Sequence, residues 1–159
     1  MSILSRDSWG PNLWCILHTL AEKTGQKQSV LEDTDEGYAW KGLLSHLQDI
    51  MPCALCVQHY TEAVRKLNPV VIVGNRGTAR RRLLRTFFWK LHNDVNARNQ
   101  KEQFPEESLE RYTDKAAFQE SLAKILGMVK AAVSAGKLQL TASSKVLRGI
   151  DHLRILCGI

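Results

Sequence analysis

PCALCVQHYTEAVRKL, residues 52–67, carries two of the chain's four cysteines, three positions apart and directly after a proline. A redox-active C-x-x-C ordinarily stands in a β-α-β unit. This one stands among helices. Pro52 suits a first helical turn, so Cys53 is expected at a helix N-terminus, and the helix is expected to run to about Leu67. Upstream, Pro11 opens a first helix whose stripe is Leu13, Trp14, Leu17, Leu20 and Ala21, and Gly25 closes it. A second helix spans about 36–50, with Tyr38, Leu43, Leu44 and Leu47 among its apolar positions. A fourth covers about 80–98, and two more about 114–134 and 142–156. The only β-branched run, Val70-Val71-Ile72-Val73, is bounded by Pro69 and Gly74 and reads as a short extended loop or strand. The expectation is therefore all-α: an antiparallel four-helix bundle, a short additional helix and a C-terminal helical extension. Residues 1–112 form the first unit and 113–159 the extension.

Composition agrees with an ordered globule. Of 159 residues, 44% are hydrophobic, with only four prolines and ten glycines. Four cysteines are too few for a disulfide-stapled secreted miniprotein. MSILSRDSWG lacks a signal-peptide core, and no run of 18 apolar residues occurs, so a cytoplasmic location without membrane contact is expected. The net charge of +6 is concentrated in RGTARRRLLR, residues 76–85, with five arginines. No aromatic residue interleaves with them, which favours a solvated loop and helix start over a nucleic-acid site.

Three readings of Cys53 and Cys56 compete. Tetrahedral zinc needs a second ligand pair, and Cys15 and Cys157 are single, with His59 the only nearby histidine. Two buried thiols remain the bland reading. A thiolate at a helix N-terminus, with its partner one turn on, favours a dithiol–disulfide couple. Such a couple needs an electron partner. His92, Asn93 and Asn96 fall on one face of the fourth helix, and Trp14 and His18 are four apart on the first. Buried unpaired, these polar groups would be costly, so together they suggest a pocket for a flat, polar ligand.

WGPNLWCILHTLA, PCALCVQHY and LHNDVNARNQKEQF, in this order, resemble the three signatures of the Erv/ALR flavin-dependent sulfhydryl oxidases. The resemblance spans roughly residues 8–112. It implies a helical bundle with FAD at its mouth, in a homodimer, oxidising protein dithiols and passing electrons to dioxygen, with hydrogen peroxide as product. It implies that Cys56 is the flavin-proximal cysteine and Cys53 the outer one that exchanges with substrate. It implies that Trp9, Gly10, Trp14 and His18 line the cofactor from the first helix, and His59 from the third. His92, Asn93 and Asn96 would hold FAD, and Lys101 would neutralise its pyrophosphate. Arg85, Arg111 and Tyr112 are placed less firmly at the same end. No metal is implied.

The sequence departs from the family pattern at several points. Trp89 and Glu106 stand where many members have a structural cysteine pair, so packing by Trp89 and Phe104 must hold the cofactor segment. No second shuttle dithiol exists. Glu22 and Lys23 replace tyrosines that often follow the first histidine. Compact, shuttle-poor versions are familiar from large DNA viruses that replicate in cytoplasm; the mitochondrial intermembrane space is the other location the resemblance allows. The competing function is a non-enzymatic basic module, binding a partner or nucleic acid, with a structural C-x-x-C.

Overall fold

The protein, seen in a computed structural model, is described at residues 3–27 and 29–159. Its order is α1 (Arg6–Lys23), α2 (Val30–His46), a 3-10 turn (Leu47–Ile50), α3 (Ala54–Leu67), α4 (Val70–Gly74), α5 (Gly77–Arg98), a second 3-10 turn (Glu106–Arg111), α6 (Lys115–Ser134) and α7 (Leu140–Leu156). No strand occurs among the described residues. None of the described helices is long and apolar enough to cross a membrane.

The hydrophobic periodicity produces one core. Trp9, Leu13, Ile16, Leu17 and Leu20 of α1 are buried against residues of α2, α5, α6 and α7 in a single cluster. The most extensive helix contacts are α1 with α6 and α2 with α7. Phe118, Ile125, Met128, Val146, Ile150 and Leu153 of the last two helices thus belong to the same core as the first four. The C-terminal helices end in glycine caps, with Gly136 and Gly158 at positive φ and the following residues bonded back five positions, Lys137 to Ala132 and Ile159 to Arg154.

Several expectations need correction. α1 begins at Arg6, and Pro11 lies in its second turn rather than at its start. The proline ring withholds one donor from the Asp7 carbonyl, near enough to the helix start that the helix continues. α2 begins six residues before the expected point, at Val30, where the Ser29 hydroxyl accepts from the Glu32 amide. Tyr38, read as apolar stripe, is 59% exposed. The 70–73 run is neither strand nor extended loop but one short helix. Tertiary contact overrides the β propensity of its valines: Ile72 is fully buried, its carbonyl accepts from Arg80 Nε, and the backbone at Val73 lies against Gly37 of α2.

The arginine run is also not a solvated face throughout. Arg80 is fully buried and its Nη1 lies 3.2 Å from Asp33 and 3.1 Å from Glu36. Its guanidinium also donates to the Asp33 carbonyl. Arg85 pairs with Glu22 at 2.6 Å and Glu106 at 2.8 Å. Two of the five arginines are therefore internal ties between helices.

Candidate functional site

Cys53 is the N-cap of α3, and Pro52 precedes it outside the helix. The Cys53 sulfur accepts from the Cys56 amide at 3.3 Å. The two cysteines are joined in a disulfide, with Cα atoms 5.2 Å apart. A sulfur at this position faces unpaired backbone N–H groups, which stabilise the thiolate once the bond is reduced.

Behind the pair opens a cavity of about 820 Å³, in the size range of a bound organic cofactor. Cys56 lines it and Cys53 does not. Of the other residues singled out in the sequence, Trp9, Gly10, Trp14, His59, His92, Asn96, Lys101, Arg111 and Tyr112 line it as well. His18, Asn93 and Arg85 do not. They stand behind the wall, each held by another contact.

That wall is built of rings. Trp14 and His92 lie parallel, with centroids 4.2 Å apart and planes 6° apart. Phe104 meets His92 edge-on at 4.9 Å. His18, only 1% exposed, shares a hydrogen bond between its Nε2 and His92 Nδ1 at 2.9 Å and stacks on Tyr112 at 4.5 Å. Burial, then the nearby His92 and Arg111, lowers the His18 pKa to about 3. Burial, then Arg111 and Lys101, lowers His92 to about 4. Both imidazoles are therefore neutral at pH 7, with one N–H of the pair donating to the other ring.

Asn93 holds the segment that carries Phe104. Its Nδ2 donates to the Phe104 carbonyl at 2.9 Å, and the Phe104 amide donates to its Oδ1 at 3.1 Å. Trp89 Nε1 donates to the same carbonyl at 3.0 Å. Arg85 bridges Glu106 to Glu22, the residue that replaces a family tyrosine. These contacts occupy the positions where a cysteine pair was expected to be missing, so hydrogen bonds and an ion pair, rather than packing alone, hold residues 104–106.

Sequence reasoning missed several lining residues: Arg6, Asp7, Leu55, Tyr60, Val95, Arg98 and Asn99. Val95 and Asn99 follow His92 at helical spacing and were legible from periodicity. Arg6 and Asp7 were not, because only the tertiary fold lays the first turn of α1 beside the end of α5. Cys157 is buried, with its sulfur 3.9 Å from both the Thr24 hydroxyl and the Leu20 carbonyl. Burial first, then Glu36, pushes its thiol up to about 12, so it is a protonated core residue outside the cavity lining.

FAD fits the residues present. An aromatic and imidazole wall suits a flat ring system. Four cationic side chains, Arg6, Arg98, Lys101 and Arg111, line the same cavity and suit a diphosphate. A disulfide cysteine opens onto it.

No curated protein and no solved structure matches the chain significantly. Residues 11–117, about two thirds of the chain, match the profile of the Erv1/Alr family. Trp9 and Gly10 precede the matched span, and α7 with most of α6 follows it. With a helical bundle, a C-x-x-C at a helix N-terminus and a ring-walled basic cavity behind it, the chain belongs to the Erv1/Alr family.

Proposed function

We propose that this chain is an FAD-dependent thiol oxidase that forms disulfide bonds in partner proteins. The observation that carries the reading is the division of labour in the C-x-x-C: Cys56 lines the basic, ring-walled cavity and Cys53 stands outside its lining. A substrate thiolate attacks the Cys53 sulfur, forming a mixed disulfide and expelling the Cys56 thiolate. The second substrate thiol, deprotonated, attacks the substrate sulfur of that mixed disulfide. The substrate leaves as a disulfide, and Cys53 and Cys56 are left reduced, having gained two electrons. FAD held in this cavity would supply the two-electron acceptor for the reduced pair, with dioxygen as the final oxidant and hydrogen peroxide as its product. Around that chemistry the chain's residues bind and orient. Trp14 and His92 offer ring faces, and Asn96 offers amide donors and acceptors. Lys101, Arg98 and Arg111 offset negative charge, and neutral His18 fixes the ring of His92 from behind.

The test is direct. The purified chain should be yellow, with flavin absorbance near roughly 450 nm, and should consume oxygen with a reduced dithiol. Cys53→Ser and Cys56→Ser should each drop turnover to background while retaining FAD. A chain that purifies colourless from flavin-replete cells and takes up no FAD would overturn the reading. Undiminished turnover in either variant would overturn the assignment of the pair.

A further inference from the structure

Among the described residues, one acidic side chain lines the cavity beside four cationic ones. It is Asp7, beside Arg6, Arg98, Lys101 and Arg111. Two polar ties join the first turn of α1 to the end of α5 at this rim. Arg6 Nη1 donates to Asn99 Oδ1 at 3.1 Å, and Lys101 Nζ stands 3.4 Å from Asp7 Oδ1.

The backbone of Lys101 is held in place. α5 ends in a six-to-one turn in which the Lys101 amide donates to the Asn96 carbonyl at 2.8 Å and the Gln100 amide to Ala97 at 3.2 Å. The side chain is not held in the same way. Lys101 and Asp7 side chains are 55% and 65% exposed, so their pair is screened and weak. A diphosphate offers the same ammonium a doubly charged, multi-oxygen partner.

Resting on the FAD reading above, we infer that Asp7 is a placeholder carboxylate. It holds Lys101 at the rim of the cofactor-free cavity, and the diphosphate of the incoming nucleotide takes its place. Asp7 thereby sets how tightly the site takes diphosphate-bearing ligands, without touching the thiol chemistry. A purely structural role is the competing account, since an acid in the first turn of a helix stabilises its N-terminus. The two accounts predict opposite consequences for binding.

The probe is ADP, titrated calorimetrically into the flavin-free full chain, with riboflavin as the arm that lacks phosphate. Asp7→Asn should tighten ADP by about three- to fivefold, the scale of one exposed ion pair, and leave riboflavin unchanged. The gain should fade at roughly 1 M salt, where the Debye length is about 3 Å. Lys101→Ala should weaken ADP, and adding Asp7→Asn to it should restore less than about twofold, because the effect runs through Lys101. Thermal melts check that each variant is folded. Unchanged or weaker ADP binding by folded Asp7→Asn overturns the inference, as does the full gain persisting without Lys101. A wild type that takes up FAD yet shows either result leaves the oxidase reading standing. A wild type that binds neither FAD nor ADP sinks both.

Discussion

Asn93 acts from outside the cavity lining, on the backbone of Phe104. Its side-chain amide makes two hydrogen bonds with Phe104, one in each direction. Truncation to alanine removes both and leaves the Phe104 amide seeking water. Asn93→Ala should lower stability by about 1–3 kcal/mol in thermal or urea melts and speed the release of FAD on gel filtration. Equal stability and flavin content would show that Phe104 is held well enough without it. The His18–His92 pair sets a pH dependence. Both groups titrate lower in the folded chain than the ordinary value of 6.5. On acidification the unfolded chain takes up their protons first, so stability falls as pH drops below about 6.5 and keeps falling toward the folded values near 4 and 3. The midpoint of thermal unfolding should therefore decline through that window, less steeply in His18→Phe, which removes one of the two groups. A variant profile parallel to that of the wild type would place the acid sensitivity elsewhere.

At the scale of elements, the α5 terminus is the informative case. α6 and α7 close on glycines at positive φ, whereas α5 closes on Gln100, at φ 57. The left-handed conformation costs a side-chain-bearing residue about 1–2 kcal/mol, part of which glycine returns as greater freedom when unfolded. Gln100→Gly should raise stability by a few tenths to about 1 kcal/mol while leaving the Lys101 amide bonded to Asn96. A lower melting temperature would mean that the glutamine side chain makes a compensating contact. α4 teaches the complementary lesson. Its valines read as a short extended loop or strand from propensity, but no strand stands among the described residues for them to pair with. The Arg80 donor and the burial of Ile72 make one helical turn the satisfied state.

Across the whole molecule, Arg80 joins α2, α4 and α5 through Asp33, Glu36 and the Ile72 carbonyl. Glu36 is buried with one carboxylate oxygen lacking a partner, and burial above all raises its pKa, against the opposing pull of the Gly25 amide and Arg80. Removing the guanidinium would strand both acids. Arg80→Ser should cost about 3–5 kcal/mol, while Arg81→Ser with Arg82→Ser should leave the melting temperature within about 1 kcal/mol equivalent. Near-neutral behaviour of Arg80→Ser in urea melts would show that the acids protonate at little cost. Close packing also appears where α1 ends: a Cβ on Gly25, at φ +83, would overlap the Gly77 carbonyl, so the two chain segments meet there only because residue 25 lacks a side chain.

What the amino-acid order alone determined was local. The C-x-x-C, the His92–Asn96 spacing, the helical periods and the glycine stops follow from i, i+3 and i+4 geometry and from backbone preference, which act over one or two turns. They made the all-α class, the wall residues Trp14, His92 and Asn96 and the placement of Cys53 at a helix N-terminus legible, while the resemblance of the motifs added Trp9, Gly10, His59, Lys101, Arg111 and Tyr112. Tertiary structure alone decided the rest. Whether Arg80 faces water or a buried carboxylate pair depends on where α2 lies. Whether Asp7 meets Lys101 depends on how α1 crosses the end of α5. Whether residues 113–159 trail away or share the core depends on α6 covering α1 and α7 covering α2. Each of these is a contact between residues dozens of positions apart, and its energy is realised only after the helices have packed.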